Sequence, residues 1–228
     1  MLIRCWMSQP AITVDRKVSM QDAIHLMKEH RIRRLPVTDK GTLCGILTDR
    51  DVKRASASDA TTLDIHELLY LISKIKVASI MSRKVHTIYQ DWTIEEAAAL
   101  LLAHKISGAP VVNERGRLRG VITQSDIFRA TLYITGLEKR GVHVALLLED
   151  TPGSIMQIVN LVREFEGRMA SILSTYERAP AGYRRVYLRF YDVPRERLDD
   201  LLELLRSKAR MRYLVDHRED RRFIFEAA

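Results

Sequence analysis

The chain has 228 residues and a net charge of +8, and 46% of its residues are hydrophobic and 29% charged. This balance is typical of a globular protein with two or three compact units, and it excludes wholesale disorder. The two cysteines, Cys5 and Cys44, lack the spacing of a disulfide framework or a zinc site, which favours a reducing compartment and no metal centre.

The distribution of charged and apolar residues narrows the class of partner. No stretch approaches the ~20 apolar residues of a membrane span and no signal peptide is evident, so we expect a cytoplasmic protein without a membrane segment. Almost all of the positive excess lies in residues 1–140, where bases are interspersed with acids. That pattern favours small phosphate ligands and leaves nucleic-acid binding as an alternative.

An internal repeat organises the first part of the chain. Met7-Ser8 recurs as Met81-Ser82, and Leu-Pro-Val at 35–37 recurs as Ala-Pro-Val at 109–111, 74 residues later. Beyond these strings the offset becomes 75, because the second copy has one extra residue in a turn rich in Asp, Asn and Gly. The first part is therefore a duplicated unit.

Each copy predicts the same five elements: strand, helix, strand, strand, helix. The first helix is predicted from apolar residues that recur every three or four positions, as Ala23 and Met27 do in the first copy. The two following strands form a hairpin, at 35–38 and 43–47 in the first copy and at 109–112 and 118–122 in the second. A second helix starts at the Thr that ends each hairpin. Between the copies, residues 63–75 predict a linking helix.

Both hairpins end in the string Gly-apolar-apolar-Thr-x-x-Asp, at 45–51 and 120–126. In tandem and after a Pro-Val strand, this string resembles that of the cystathionine-beta-synthase (CBS) domain pair, or Bateman module, over about residues 7–133. The resemblance implies a sensor that binds an adenosine nucleotide (AMP, ADP or ATP) and forms a homodimer. In that family the Thr contacts phosphate or ribose, the Asp holds the ribose hydroxyls, and the adenine lies beside the strand before the hairpin turn.

The residues at which this resemblance implies nucleotide contacts are Gly45, Ile46, Thr48, Asp51, Arg33, Arg34, Arg50, Pro36 and Val37 in the first copy, and Gly120, Val121, Thr123, Asp126, Pro110 and Val111 in the second. A helix N-terminus offers free amides to a phosphate, and a glycine lets a backbone approach a ligand closely. A structural alternative stays open, because Thr-x-x-Asp at a helix start is also close to a capping box.

The two copies differ just before the Pro-Val strand. The first copy has Arg33-Arg34 where the second has Ser107-Gly108, and Arg50 adds a third guanidinium near the first helix start. Since an arginine fork donates two hydrogen bonds to one phosphate, we expect the first site to prefer AMP, ADP or ATP. The second site is then weaker, empty, or suited to a less charged adenosyl ligand. A solvated helix end is the alternative explanation of the two arginines.

After residue 141 the pattern predicts the order βαββαβ, a ferredoxin-like arrangement in which Gly167 ends the first helix. The strand that runs into Asp-Thr-Pro-Gly at 150–153 resembles the ACT domain, a sensor of amino acids, over about residues 141–217. The resemblance implies an effector site at Asp150, Pro152 and Gly153. Two alternatives remain: helix capping by Asp150, and dimerisation through an exposed sheet edge.

The whole chain is accordingly predicted as α+β, a CBS pair followed by a ferredoxin-like ACT domain. The boundaries are 1–56 for the first repeat, 57–77 for a linker helix, 78–134 for the second repeat, 135–217 for the ACT-like domain and 218–228 for a tail that can add a strand. This order resembles bacterial regulators of the acetoin-utilisation B type. It implies a non-enzymatic sensor that modulates an unknown target protein. The alternatives are an enzyme, for which no nucleophile motif or phosphate loop is found, a nucleic-acid-binding regulator and a purely structural dimerisation protein.

Overall fold

A computed structural model describes residues 1–58 and 73–225, which fall into two compact units, Met1–Ala130 and Thr131–Ala228. Most of the predicted linker helix lies outside the described residues. In the first unit the elements of the first repeat are β1 (Val14–Asp15), α1 (Met20–Glu29), β2 (Arg34–Asp39), β3 (Thr42–Thr48) and α2 (Asp49–Ser58). Those of the second are α3 (Val77–Ile80), β4 (Ile88–Tyr89), α4 (Ile94–Ala103), β5 (Gly108–Val112), β6 (Leu118–Thr123) and α5 (Gln124–Ile134), whose last turn enters the second unit.

Each repeat forms a three-stranded sheet in which a parallel pair precedes the predicted hairpin. The sheet orders are β1-β2-β3 and β4-β5-β6, and the hairpin registers are equivalent, since Pro36 pairs with Ile46 and Pro110 with Val121. The first helix of each repeat starts at a side-chain cap, Ser19 in one copy and Thr93 in the other. The predicted order of elements is thus present in both copies.

The segments that precede each repeat are exchanged between the two sheets. Ser8 pairs with Val121 of the second repeat, and Ser82 pairs with Ile46 of the first. Ile3 is fully buried against the second repeat's core, whereas Val77 is fully buried in the core of the first. The start of each predicted repeat therefore joins the sheet of the other repeat.

Gly45 and Gly120 make this exchange sterically possible. A Cβ at Gly120 would lie 2.5 Å from the backbone oxygen of Ser8, and one at Gly45 would lie 2.5 Å from the Met81 sulfur and 3.2 Å from the Ser82 oxygen. We therefore expect Gly120→Ala to lower the free energy of unfolding by about 1–3 kcal/mol, because a backbone atom has to move. Gly45→Ala should cost less, since a flexible thioether can shift. Thermal unfolding of the two variants tests this ranking, which equal losses would contradict.

The second unit is an antiparallel sheet with two helices. Its elements are β7 (Val142–Glu149), α6 (Ser154–Glu164), β8 (Arg168–Thr175), β9 (Tyr183–Tyr191), α7 (Arg195–Lys208), β10 (Arg210–Asp216) and β11 (Arg221–Ile224). The strand order is β11-β10-β7-β9-β8, so the tail adds an edge strand. Apolar side chains of β7 and β9, such as Leu146 and Phe190, form a core with Ile158 and Leu201 of the helices. The left-handed residue after α6 is Glu166 and not Gly167, which instead packs closely against Val162.

His143, on β7, gives the second unit a pH-dependent stability. Burial, followed by the nearby Arg189 and His217, lowers the pKa of its imidazole from 6.5 to about 4. The unfolded chain binds this proton more readily than the folded one. The contribution of His143 to the free energy of unfolding is therefore complete above pH 6.5 and is lost as the pH drops towards 4. For a half-buried ring we expect a loss of about 1–2 kcal/mol, measured by denaturant unfolding between pH 7 and 4. His143→Gln should flatten this slope; an unchanged slope would contradict the assignment.

Candidate nucleotide-binding clefts

Two clefts lie at the starts of the helices that follow the hairpins. The cleft beside Thr48 and Asp51, here named the Asp51 cleft, encloses about 460 Å³. The cleft beside Thr123 and Asp126, the Asp126 cleft, encloses about 600 Å³. Each is large enough for a small-molecule ligand and each contains the N-terminal turn of a helix of ten residues or more.

Thr48 and Asp51 form a reciprocal cap at the start of α2. The Thr48 N–H and hydroxyl donate to Oδ2 of Asp51 at 2.9 and 2.6 Å, and the Asp51 N–H donates to Thr48 Oγ1 at 3.4 Å. The structural role considered for this string is therefore present. It occupies a single carboxylate oxygen, and within residues 1–58 and 73–225 no hydrogen bond reaches Oδ1 of the half-buried Asp51. Capping and ligand binding are thus compatible at this residue.

Thr123 and Asp126 repeat the cap, with distances of 2.8, 2.6 and 3.3 Å. Here the second oxygen is also engaged, because Arg129 forms an ion pair with Oδ1 of Asp126. The Asp126 residue is only 3% exposed. The two carboxylates therefore differ: Asp51 offers an acceptor to its cleft, whereas Asp126 is satisfied by the protein itself.

The structure divides the sequence-predicted nucleotide contacts into two groups. Ile46 lines the Asp51 cleft, Val121 lines the Asp126 cleft, and Arg33, Arg34 and Arg50 line both. The predicted strand residues Pro36, Val37, Pro110 and Val111 are buried within their sheets and line neither cleft. Gly45 and Gly120 also line neither cleft, because the space above them is filled by the exchanged segments and not left open to a ligand.

Sequence reasoning missed the walls that the exchanged segments supply. Ser82, Lys84 and His86 line the Asp51 cleft, and residues 8 and 10–12 occupy the equivalent positions in the Asp126 cleft. The imidazole of His86 stacks on that of His104 with ring centroids 3.7 Å apart. Desolvation, followed by His104 and Lys84, lowers the pKa of His86. The repeated Met-Ser pair was the available signal, but the repeat does not reveal which sheet receives it.

The residues that line only the Asp51 cleft carry more positive charge than those that line only the Asp126 cleft. Of the charged residues that line one cleft alone, Arg54, Lys84 and Lys105 surround Asp51, whereas Arg31 and Arg129 accompany Asp126. These residues carry a net charge of +2 around Asp51 (three cations and one carboxylate) and of +1 around Asp126 (two cations and one carboxylate), where Arg129 is bound to Asp126. Phosphate groups are therefore better matched by the Asp51 cleft.

The predicted effector loop lies in the second unit, between β7 and α6. Asp150 does not cap α6, whose N-cap is Gly153 at φ +86° with no side-chain hydrogen bond. Asp150 instead accepts a hydrogen bond from Arg184 Nε at 2.8 Å and forms an ion pair with the same guanidinium, which lies over the Tyr176 ring. That hydrogen bond raises the pKa of Arg184. Asp150 thus joins the loop to the hairpin of β8 and β9.

The described part of the chain lacks two features that would widen the choice of function. It contains no group of three or more His, Cys, Asp and Glu residues placed to hold a metal ion. None of its helices combines the length and the apolar character that crossing a bilayer requires.

Comparison with known proteins gives a consistent family assignment for the first unit. The family model of the CBS domain matches residues 3–58 and 77–133. A CBS domain-containing protein of Dictyostelium discoideum is 34% identical over 127 residues, 55% of this chain and 88% of that protein. Among solved structures, the CBS domain pair of protein MJ0100 in complex with 5′-methylthioadenosine and S-adenosyl-L-methionine is 30% identical, covers 57% of this chain and 95% of its own, and has a TM-score of 0.49. A Vibrio cholerae protein named for acetoin utilization (AcuB) is 26% identical, covers 61% of this chain and 96% of its own, and has a TM-score of 0.51. The prediction of tandem CBS domains is confirmed, and the chain belongs to the CBS domain family.

Proposed function

We propose that the protein is a regulatory sensor that binds an adenosine nucleotide (AMP, ADP or ATP) in the Asp51 cleft, without turning it over. The observation that carries this proposal is the carboxylate oxygen of Asp51 that no described residue engages, at a helix N-terminus and among cations. Vicinal ribose hydroxyls are donors that a carboxylate oxygen accepts, and a phosphate suits both the helix amides and the surrounding guanidinium and ammonium groups.

The remaining residues of the Asp51 cleft suit an adenine base and its phosphates. Ile46, Val85 and Ile106 supply apolar surface to the Asp51 cleft, while Arg33, Arg50 and Lys84 supply the positive charge. An adenosine nucleotide has this same division between an apolar ring and an anionic tail. In the Asp126 cleft the carboxylate is already paired, and residues such as Pro10 and Ile12 are apolar. This cleft therefore suits a nucleotide bound with lower affinity, or a less charged adenosyl ligand such as S-adenosylmethionine.

Isothermal titration of the nucleotide-stripped protein tests this proposal. AMP, ADP, ATP and S-adenosylmethionine are titrated in turn, and at least one phosphorylated ligand is expected to bind with micromolar affinity. Affinity should fall with added salt, because several cations contribute. If none of the four ligands produces heat or a shift in thermal stability, the Thr-x-x-Asp strings act as caps alone. Release of phosphate from ATP would favour the enzyme alternative.

For the second unit we propose an ACT-like role in sensing an amino acid. Its support is the Asp150–Arg184 pair, because a free amino acid carries the two complementary charges: an ammonium for Asp150 and a carboxylate for Arg184. A ligand would have to displace this ion pair; in the same loop, a Cβ at Gly153 would meet no heavy atom of the described residues within 4 Å. The twenty amino acids, screened by thermal shift with Arg184→Met as control, test this role. Equal melting temperatures with and without every amino acid would leave Asp150 a structural residue.

We further propose a homodimer that acts on a partner protein in the cytoplasm. Support comes from large apolar side chains that are exposed on the helices, Leu102 on α4 and Phe128 and Leu132 on one face of α5. Light scattering after size exclusion measures the oligomeric state, and Phe128→Glu with Leu132→Glu should give monomers. Steeply salt-dependent binding to random DNA would favour the nucleic-acid alternative.

A further inference from the structure

The two clefts share a common wall. Six residues line both: Arg33, Arg34, Asp49, Arg50, Ser107 and Gln124. All belong to the first unit, at the hairpin bases where the two repeats face each other. A ligand in one cleft is therefore separated from a ligand in the other cleft by one layer of side chains.

The charge of this wall comes from the first repeat alone. Arg33, Arg34, Asp49 and Arg50 contribute a net positive charge, while the second repeat contributes the neutral Ser107 and Gln124. The excess of arginine that was predicted to favour the first site therefore lines both clefts. Because the arginines exist once, two anionic ligands would have to divide them.

Arg34 reaches from the first repeat to the second within this wall. Its Nη2 donates a hydrogen bond to Ser107 Oγ at 2.7 Å. A Cβ at Gly108 would lie 1.8 Å from its Nη1 and 2.7 Å from its Cζ, so the guanidinium occupies the space above that glycine. Gly108 is the second-repeat counterpart of Arg34, and its missing side chain makes room for this crossing.

The electrostatic surroundings of Arg34 comprise charged residues of the shared wall and of the Asp126 cleft. Burial lowers the pKa of its guanidinium, and the carboxylates of Asp49 and Asp126 act in the opposite direction. Asp126 belongs to one cleft, and Asp49 lies in the shared wall. The partly desolvated guanidinium is therefore favoured in its charged form by one carboxylate of the shared wall and one of the Asp126 cleft, while Arg33 and Arg50 disfavour it.

We propose that Arg34 couples the two clefts antagonistically, so that an anionic ligand bound in one lowers the affinity of the other for a second anionic ligand. The inference rests on the proposed nucleotide binding and adds to it the regulation of the pair. One guanidinium fork pairs with one phosphate at a time, so two anionic ligands compete for Arg34. Coupling of this kind is reciprocal. A neutral ligand such as adenosine does not compete for Arg34.

Titration of the full chain with ADP and with adenosine tests the coupling. Val121→Trp, which fills the Asp126 cleft, and Ile46→Trp, which fills the Asp51 cleft, each report the ADP affinity of the other cleft alone, and the wild-type isotherm is compared with the sum of the two. We expect the second wild-type ADP step to be at least fivefold weaker than that sum predicts, and adenosine to follow the sum. Arg34→Met keeps an unbranched side chain over Gly108 and should restore additivity for ADP.

The matched control is Arg54→Met, which removes a cation that lines the Asp51 cleft and not the Asp126 cleft. It should weaken ADP in one cleft and keep the departure from additivity. An additive wild-type isotherm, an Ile46→Trp protein that binds no ADP, or unchanged coupling in Arg34→Met would each overturn the coupling while leaving nucleotide binding in the Asp51 cleft intact. Absence of ADP binding to every form of the protein would overturn both proposals.

Discussion

Asp51→Asn is expected to weaken the binding of an adenosine nucleotide in the Asp51 cleft by about 10- to 100-fold. An asparagine amide oxygen can still accept from the Thr48 N–H and hydroxyl, so the cap of α2 is retained. The other carboxylate oxygen becomes an NH2 donor, which cannot accept from ribose hydroxyls. A hydrogen bond to a charged acceptor contributes about 1.5–3 kcal/mol, which corresponds to that loss. Isothermal titration measures the affinity, and an unchanged melting temperature shows that the cap is intact.

Electrostatics makes this result informative in both directions. Removing a negative charge from a cationic cleft would by itself strengthen phosphate binding, so a gain in affinity would show that Asp51 does not hold the ribose. Asp126→Asn is the matched control, because Oδ1 of Asp126 is already paired with Arg129. It should leave the first binding step within about twofold of wild type.

Arg189→Met is expected to destabilise the second unit by about 3–5 kcal/mol. The Arg189 residue is 4% exposed, and its Nε and Nη1 donate to the carbonyl oxygens of Thr135 and Arg140, each at 2.9 Å. Burial lowers the pKa of this guanidinium, yet the substitution removes two charge-assisted hydrogen bonds. The Thr135 carbonyl keeps the hydrogen bond from the Ser171 hydroxyl, whereas the Arg140 carbonyl loses its side-chain donor. Thermal unfolding should show a fall of roughly 10 °C or more for a unit of this size.

Arg185→Met is the control for this prediction. Arg185 lies four residues earlier on β9, on the same face of the sheet, and its buried Nε has no hydrogen-bond partner among residues 1–58 and 73–225. Its loss should therefore cost clearly less than that of Arg189. If the two variants melt at the same temperature, the carbonyl contacts of Arg189 contribute little, and general burial accounts for its effect.

The local parts of the clefts were predictable because their partners are close in the chain. The cap from Thr48 to Asp51 joins residues three positions apart, and the hairpin that presents it follows from two apolar runs and a turn. Duplication strengthened the prediction, since the same string recurs after a second Pro-Val strand. These features depend on backbone geometry and sequence spacing, which a single sequence displays directly.

The distant parts were not predictable in the same way. Lys84 and His86 reach the Asp51 cleft because residue 82 pairs with the sheet of the first repeat, 36 positions earlier at Ile46. Asp150 looked like a helix cap, yet it pairs with Arg184, because the β7–β9 pairing brings that guanidinium alongside. Sequence spacing does not relate these residues, because the pairing of segments distant in the chain decides which surfaces meet.

By itself, the sequence determined the duplicated five-element unit, the capped helix starts and the excess of arginine in the first copy, all of which follow from local hydrogen bonding and apolar periodicity. Only the tertiary structure decided how that excess is used. The exchange of the segments at Ser8 and Ser82 brings two hairpin bases face to face, and Arg34 then crosses over Gly108 into a wall common to both clefts. The physical reason is that charge acts through space, so the placement of a side chain depends on packing between residues distant in the chain.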